Sequence, residues 1–198
     1  FRETKTSKPL ADAEGPISGT EYMTHNNLRG SICTALFRKE ILHDLRFPKG
    51  ILHEDEEFTP QLMLRAENLY FTNNKAYYYR KREGSIMHKR DKRWHIRRLA
   101  DAEQVLYRLK ERVDYLPVKE RIAMERRIAQ LTMDHIYNVI TMTHDETHLN
   151  HVLQRLSRHG LFPLPDKDYT SKYKWFRRMT NSSFGRKTLI MLLRLNKG

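Results

Sequence analysis

Apolar residues recur with helical spacing through the second half of the chain. Leu99, Ala102, Leu106, Leu109 and Val113 alternate steps of three and four, which puts them on one stripe of an amphipathic helix that stops before Pro117. Val118 to Met142 predicts a second helix, with Ile122, Ala129, Met133, Ile136 and Ile140 on its stripe. Val139 and Met142 widen that stripe, so its later half should be the more buried. Thr143-His144-Asp145-Glu146 has the form of a capping box. It opens a third helix carrying Leu149, Val152, Leu153 and Leu156, closed by Gly160. Three helices with short connections predict an antiparallel bundle. A linker, Leu161 to Asp168, holds Pro163 and Pro165, and two short helices follow over Ser171–Thr180 and Phe184–Leu195.

The first half has a different pattern. Residues 1 to 19 are polar, carry Pro9, Gly15, Pro16 and Gly19, and read as irregular connection. Thr20 to Leu28 reads as a short helix capped by Thr20. Ser31 to Phe37 reads as a buried strand, with Ile32, Cys33, Ala35 and Leu36 apolar. Arg38 to Leu45 reads as a helix packing Ile41, Leu42 and Leu45. Phe58, Leu62 and Ala66 fall at i, i+4 and i+8, and Pro60 suits the first turn of a helix starting there. Asn68 to Phe71 reads as a short strand, the turn Thr72-Asn73-Asn74-Lys75 follows, and Ala76 to Lys81 is strand-like and aromatic. The fold class expected is mixed but mainly α: a small α/β part with few strands over residues 1–87, then a helical domain over 88–198.

Composition narrows the class. The chain has 198 residues, 39% hydrophobic and 31% charged, enough for a modest core. No run of 18 apolar residues exists to span a membrane. A single cysteine, Cys33, excludes an internal disulfide and fits a reducing compartment. The chain opens on Phe1 without an initiator Met, as expected of a fragment or processed product. A net charge of +13 favours anionic partners. Residues 80–98 concentrate nine Lys or Arg against two acids, Glu83 and Asp91.

Candidate chemistry centres on His53-Glu54-Asp55-Glu56-Glu57. The pair Glu54-Asp55 follows the turn Phe47-Pro48-Lys49-Gly50 and an apolar step, and so lies at the mouth of a helix. The helix dipole holds carboxylates ionised there. For a bare Glu-Asp pair, ordinary capping is the commoner explanation of acids in a first turn.

The order Gly50-x-x-His53-Glu54-Asp55-x-x-Phe58, then Tyr77-Tyr78-Tyr79-Arg80-x-Arg82-x-Gly84-Ser85-Ile86, resembles the acceptor-side half of family-2 glycosyltransferases of GT-A fold. The resemblance covers about residues 20–87, including Ile32 to Leu42. It implies a C-terminal portion of an enzyme that moves a sugar from a nucleotide-sugar donor to a glycan or lipid-linked acceptor. Asp55 would be the general base and Glu54 would position the acceptor or support the loop. His53 would tune the base, touch the acceptor or simply fill the loop, and Arg80, Arg82 and Ser85 would face a diphosphate. The family's Asp-x-Asp motif, which holds Mg²⁺ or Mn²⁺ in the N-terminal half, has no counterpart here. Asp166-Lys167-Asp168 lies in the Pro-rich linker. The resemblance thus implies a fragment inactive alone that binds no metal of its own, its parent working in the cytoplasm or at the inner face of the membrane.

His144, His148 and His151 share a helical face but lack the zinc-protease pattern, and exposed histidines are the default. Cys33 inside an apolar strand reads as core. Trp175, Phe176 and Met179 among Lys172, Lys174, Arg177 and Arg178, with Leu189 to Leu193 following, suit either packing on the bundle or an anionic membrane surface. The rival reading is a basic helical module that binds nucleic acid or protein. No nucleic-acid-binding signature accompanies the charge, so nucleic acid is the less expected partner.

Overall fold

The computed structural model describes residues 16–72, 77–78 and 91–195. Among these the regular structure is helical: α1 Gly19–His25, α2 Glu54–Leu64, α3 Lys92–Val113, α4 Val118–Thr143, α5 Glu146–Arg158, α6 Ser171–Asn181 and α7 Ser183–Leu195. Two short 3-10 turns, Ile32–Thr34 and Lys39–Leu42, lie between α1 and α2. The sole β-pairing among the described residues is an isolated antiparallel bridge, Ile17 with Leu69. The expected α/β part is therefore overturned: no sheet is present in the described chain.

The corrections have local causes. Ser31 to Phe37 begins as a 3-10 turn and is extended at Ala35, and among the described residues no second strand lies beside it to complete a ladder. Cys33 is exposed rather than buried in a core. The helix expected over Arg38–Leu45 is one 3-10 turn, ended by His43 at φ +42°. Asn68 to Phe71 makes only the bridge at Leu69. The strand expected over Ala76–Lys81 falls mostly outside the described residues. Helix α2 starts a full turn earlier than the apolar spacing indicates, at Glu54 after His53 in the left-handed region. Pro60 consequently sits inside α2, where it removes the amide that would donate to the Glu56 carbonyl.

Helix α4 is the axis. Fourteen of its 26 residues are buried, among them Met124, Met133, Ile136 and Ile140, because other helices pack around it. Leu106, Leu109 and Val113 of α3 close on it from one side, and Leu149, Val152 and Leu156 of α5 from another. Ile122, assigned to the same stripe from spacing, is 47% exposed near the free first turn of α4. Phe176 of α6 and Leu189 of α7 complete the core, while Trp175, Phe184 and Met191 face outward. Tyr22 and Met23 bring α1 into the same core.

Caps set the ends. Ser18 Oγ accepts from Glu21 N at 3.1 Å to start α1, and Gly19 lets α1 abut α2, where a Cβ would fall 1.9 Å from the Met63 carbonyl oxygen. Asp145 starts α5 by accepting from the amides of Thr147 and His148, at 2.8 and 3.1 Å. No helix among the described residues is long and apolar enough to cross a membrane.

Candidate functional site

The acidic stretch singled out from sequence forms the first turn of α2. Its four carboxylates divide between two roles. Glu57, 3% exposed, accepts from Arg108 Nε at 2.8 Å and lies 3.7 Å from Arg112, both on α3. Glu56 pairs with Arg127 of α4. These two bind α2 to the bundle. Burial nevertheless pushes the Glu56 carboxyl above its usual range, outweighing the attraction of Arg127.

Glu54 is exposed and Asp55 half-buried, and no ion pair engages either among the described residues. Burial, then the neighbouring Glu54 charge, raises the Asp55 carboxyl. His53 accepts from Arg98 Nε at 3.3 Å. Burial, reinforced by the Arg98 charge, lowers its imidazole to about 4, so it is neutral at pH 7 and suited to accepting. The loop is pinned further by Asp101, which accepts from Leu52 N at 2.9 Å, and by Arg97, which donates to the Gly50 carbonyl at 2.8 Å. The structure thus brings His53, Glu54 and Asp55 together. Arg80, Arg82 and Ser85 lie outside the described residues.

A second place is better formed. Helices α3 and α5 each pack on α4 and leave between them a groove of about 960 Å³. Ile96 and Leu99 of α3, Val139 and Met142 of α4 and Val152 of α5 make it apolar, while His95, His148, Arg158 and His159 add polar and cationic groups. The walls are joined by side chains. Arg155 grips Glu103 with both ends of its fork, Nε at 2.7 Å and Nη2 at 2.9 Å, the bidentate geometry that makes such pairs strong. Tyr107 donates its hydroxyl to the same carboxylate and stacks on His159 at 3.7 Å between centroids. These donors hold the Glu103 carboxyl well below its ordinary value despite its burial.

His135 lies in this groove, 3% exposed, and neither ring nitrogen has a hydrogen-bond partner among the described residues. Its Nε2 is 3.6 Å from Glu103 Oε2, beyond a direct bond. Arg158 has no ion-pair partner among the described residues. Glu103, His135 and Arg155 were not among the residues the sequence marked out. The available signal is periodic: Glu103 is four residues after Leu99 and three before Leu106, and His135 is four before Val139. A charged or polar residue on the apolar stripe marks a groove or a buried network.

Among the described residues no group of three or more His, Cys, Asp or Glu side chains could hold a metal ion; His144, His148 and His151 form no such set. Comparison with protein-family models, with curated proteins and with solved structures gives no match. The resemblance to family-2 glycosyltransferases does not extend to the fold. A GT-A domain is built on a sheet, and the described chain has helices and one isolated bridge. The glycosyltransferase reading, its transferase activity and the assignment as an enzyme fragment are overturned on that ground. A basic helical module fits the architecture better.

Proposed function

We propose that the chain is a basic helical protein-interaction module, and that its groove between α3 and α5 receives an acidic amphipathic helix of a partner. The groove carries this reading. Its α3 wall runs from His95 to Tyr107 and its α5 wall from Asp145 to His159, spans of about 18 to 21 Å at the helical rise. That length matches a partner helix of three to four turns laying an apolar stripe onto Ile96, Leu99 and Met142, the apolar lining residues that are at least partly exposed. The +13 charge, the free Arg158 and the flanking histidines favour acids on the partner's edges. Glu103 and Asp145 do not offset this, since Arg155 neutralises the first and α5 amides engage the second.

The test uses a 14-residue synthetic peptide with Leu at i, i+3, i+4 and i+7 and Glu on its other face. Its Lys counterpart and a 20-base-pair DNA duplex serve as competitors, with binding read by fluorescence anisotropy. The acidic peptide should bind, the basic one should not, and Arg158→Glu and Ile96→Glu should each weaken binding about tenfold or more. Both residues are exposed, so neither change threatens the fold. Tighter binding of duplex, falling steeply with salt and indifferent to Ile96→Glu, would replace this reading with nucleic-acid binding.

A further inference from the structure

The stretch Ile32-Cys33-Thr34-Ala35-Leu36-Phe37 has the composition of a strand, yet its later part lies outside any helix, exposed and, among the described residues, unpaired. We infer that Ala35–Arg38 is a docking edge for an extended, acid-flanked strand of a partner polypeptide. This surface is separate from the α3/α5 groove and does not rest on it.

Three observations converge. The backbone is extended at Ala35 (φ −112°, ψ 140°) and at Arg38 (φ −69°, ψ 137°). Ala35 N donates back to Ile32 and the Arg38 carbonyl accepts from Ile41. Between them the amides of Leu36, Phe37 and Arg38 and the carbonyls of Ala35, Leu36 and Phe37 make no hydrogen bond among the described residues. The side chains are equally uncovered: Leu36 is fully exposed and Phe37 is 36% exposed, on opposite faces where the chain is extended.

The edge is also held in place. Ile32 before it and Ile41 and Leu42 after it pack on a small core of Leu45, Phe58 and Leu62. Anchored ends with a bare middle make a pre-organised template, and free backbone groups on an apolar extended edge recruit a strand. A partner strand would form about two to four main-chain bonds here, since alternate residues point to the same edge. It would cover Leu36 or Phe37 with its own apolar positions.

Charge identifies the flanks. Arg38 and Lys39, at the C-terminal end of the edge, are exposed, and Arg46 and Lys49 follow within eleven residues, also exposed. Asp44 is tied to Arg65 at 2.8 Å, which leaves Glu40 as the opposing acid. Carboxylates at the ends of the incoming strand fit that surround. A second copy of this chain fits poorly, because two bodies of +13 repel.

The probe is a ten-residue peptide with alternating Val and Thr in the middle and two Glu at each end, added to ¹⁵N-labelled protein. Amide exchange at Leu36, Phe37 and Arg38 is the readout. Saturating peptide should slow exchange at one or two of these amides at least tenfold. The same peptide N-methylated on alternate residues should lose that effect. Leu36→Asp should weaken binding about tenfold, and Arg158→Glu in the groove should leave it unchanged. No binding at millimolar peptide, binding that ignores N-methylation, or exchange unchanged at these three amides would each overturn the proposal. So would protection that rises with protein concentration in the absence of peptide, which would make the occupant a second copy.

Discussion

Residues 31–50 and helix α4 are similarly apolar in sequence and opposite in burial. The first stretch carries Ile32, Cys33, Ala35, Leu36, Phe37, Ile41, Leu42, Leu45 and Phe47, yet only Leu45 is buried. In α4 fourteen residues are buried, including two arginines, a glutamine and a histidine. The difference is one of neighbours. A helix satisfies its own backbone, so α4 needs only side-chain cover, and α1, α3, α5 and α7 supply it. An extended segment needs a second strand for its backbone before its side chains can be covered, and none among the described residues lies beside residues 35–38. Apolar pattern therefore reports a requirement for cover. Which neighbour meets the requirement is a property of the fold.

The contrast also shows how the less covered region is held. Arg126 and Arg127 of α4 reach across to the chain on either side of residues 31–50, at Asn26 to Leu28 before it and Glu56 after it. Arg126 donates to the carbonyls of Asn26 and Asp168 at 2.6 and 2.8 Å and to Asn27 Oδ1 at 3.1 Å. Arg127, 2% exposed, donates to the Leu28 carbonyl and to Glu56. The largest expected effect comes from Arg127→Met. It leaves Glu56 buried without its cation, and loss of one partner of a mostly buried pair costs on the order of 2 to 4 kcal/mol. The urea midpoint should fall accordingly. Amide exchange should accelerate first around residues 26–30 and the start of α2, with the middle of α4 changing least. Adding Glu56→Leu should recover part of the loss, which a double-mutant cycle measures. Uniform acceleration through α4 would show that the clamp belongs to the bundle itself.

How much of this was readable beforehand divides along the same line. Helices α3 to α7 announce themselves because a 3.6-residue period repeated over 11 or more residues has few competing explanations. Caps are local but less legible: the sequence pattern points to Thr143 and Thr20, whereas Asp145 caps α5 and Ser18 caps α1. The partners of Arg127 are not: Leu28 and Glu56 lie 99 and 71 residues away in sequence, and no local rule selects them. The acidic run His53–Glu57 reads as chemistry because its residue types are reactive, whereas Glu56 and Glu57 tie α2 to α4 and α3. Glu103 and His135 are hard to read from sequence because a single polar residue leaves a helical stripe intact. Ser31–Phe37 reads as a buried strand because its composition is that of one.

A smaller effect is set by pH. His53 is held near 4 in the folded protein against 6.5 for a free imidazole. Below 6.5 the unfolded chain takes up a proton that the folded chain refuses, so stability from this group is full above 6.5 and is lost as pH falls toward 4. At about 1.4 kcal/mol per pH unit the window is worth about 3 kcal/mol, less whatever solvent screens at this partly exposed ring. The Glu103 carboxyl, lowered by its donors, adds a loss of the same sign at lower pH, from its ordinary value downward. Asp55, Glu56 and Asp134, all raised by burial, act the other way just above the usual carboxylate range. Urea midpoints measured from pH 7 to 4.5 should fall for the wild type and flatten for His53→Asn, which keeps an acceptor for Arg98 and cannot titrate. An identical slope in both proteins would place the acid sensitivity elsewhere.

The smallest effects separate the two regions by their caps. Asp145 accepts from two amides at the start of α5, and Ser18 accepts from one at the start of α1. Replacing either by Ala removes a cap worth on the order of 0.5 to 2 kcal/mol. Asp145→Ala should lie in the upper part of that range, since it leaves two donors unmet and withdraws a negative charge from a helix N-terminus. Its consequence should also be local to the groove: His148 sits on the freed turn, so the acidic helical peptide should bind a few-fold more weakly. Ser18→Ala should cost less, because Gly19 wedged against Met63 and the bridge between Ile17 and Leu69 keep the chain in place, and peptide binding should not change. If Ser18→Ala proved the more damaging, the region before α2 would depend on its own local bonds more than on the bundle it leans against.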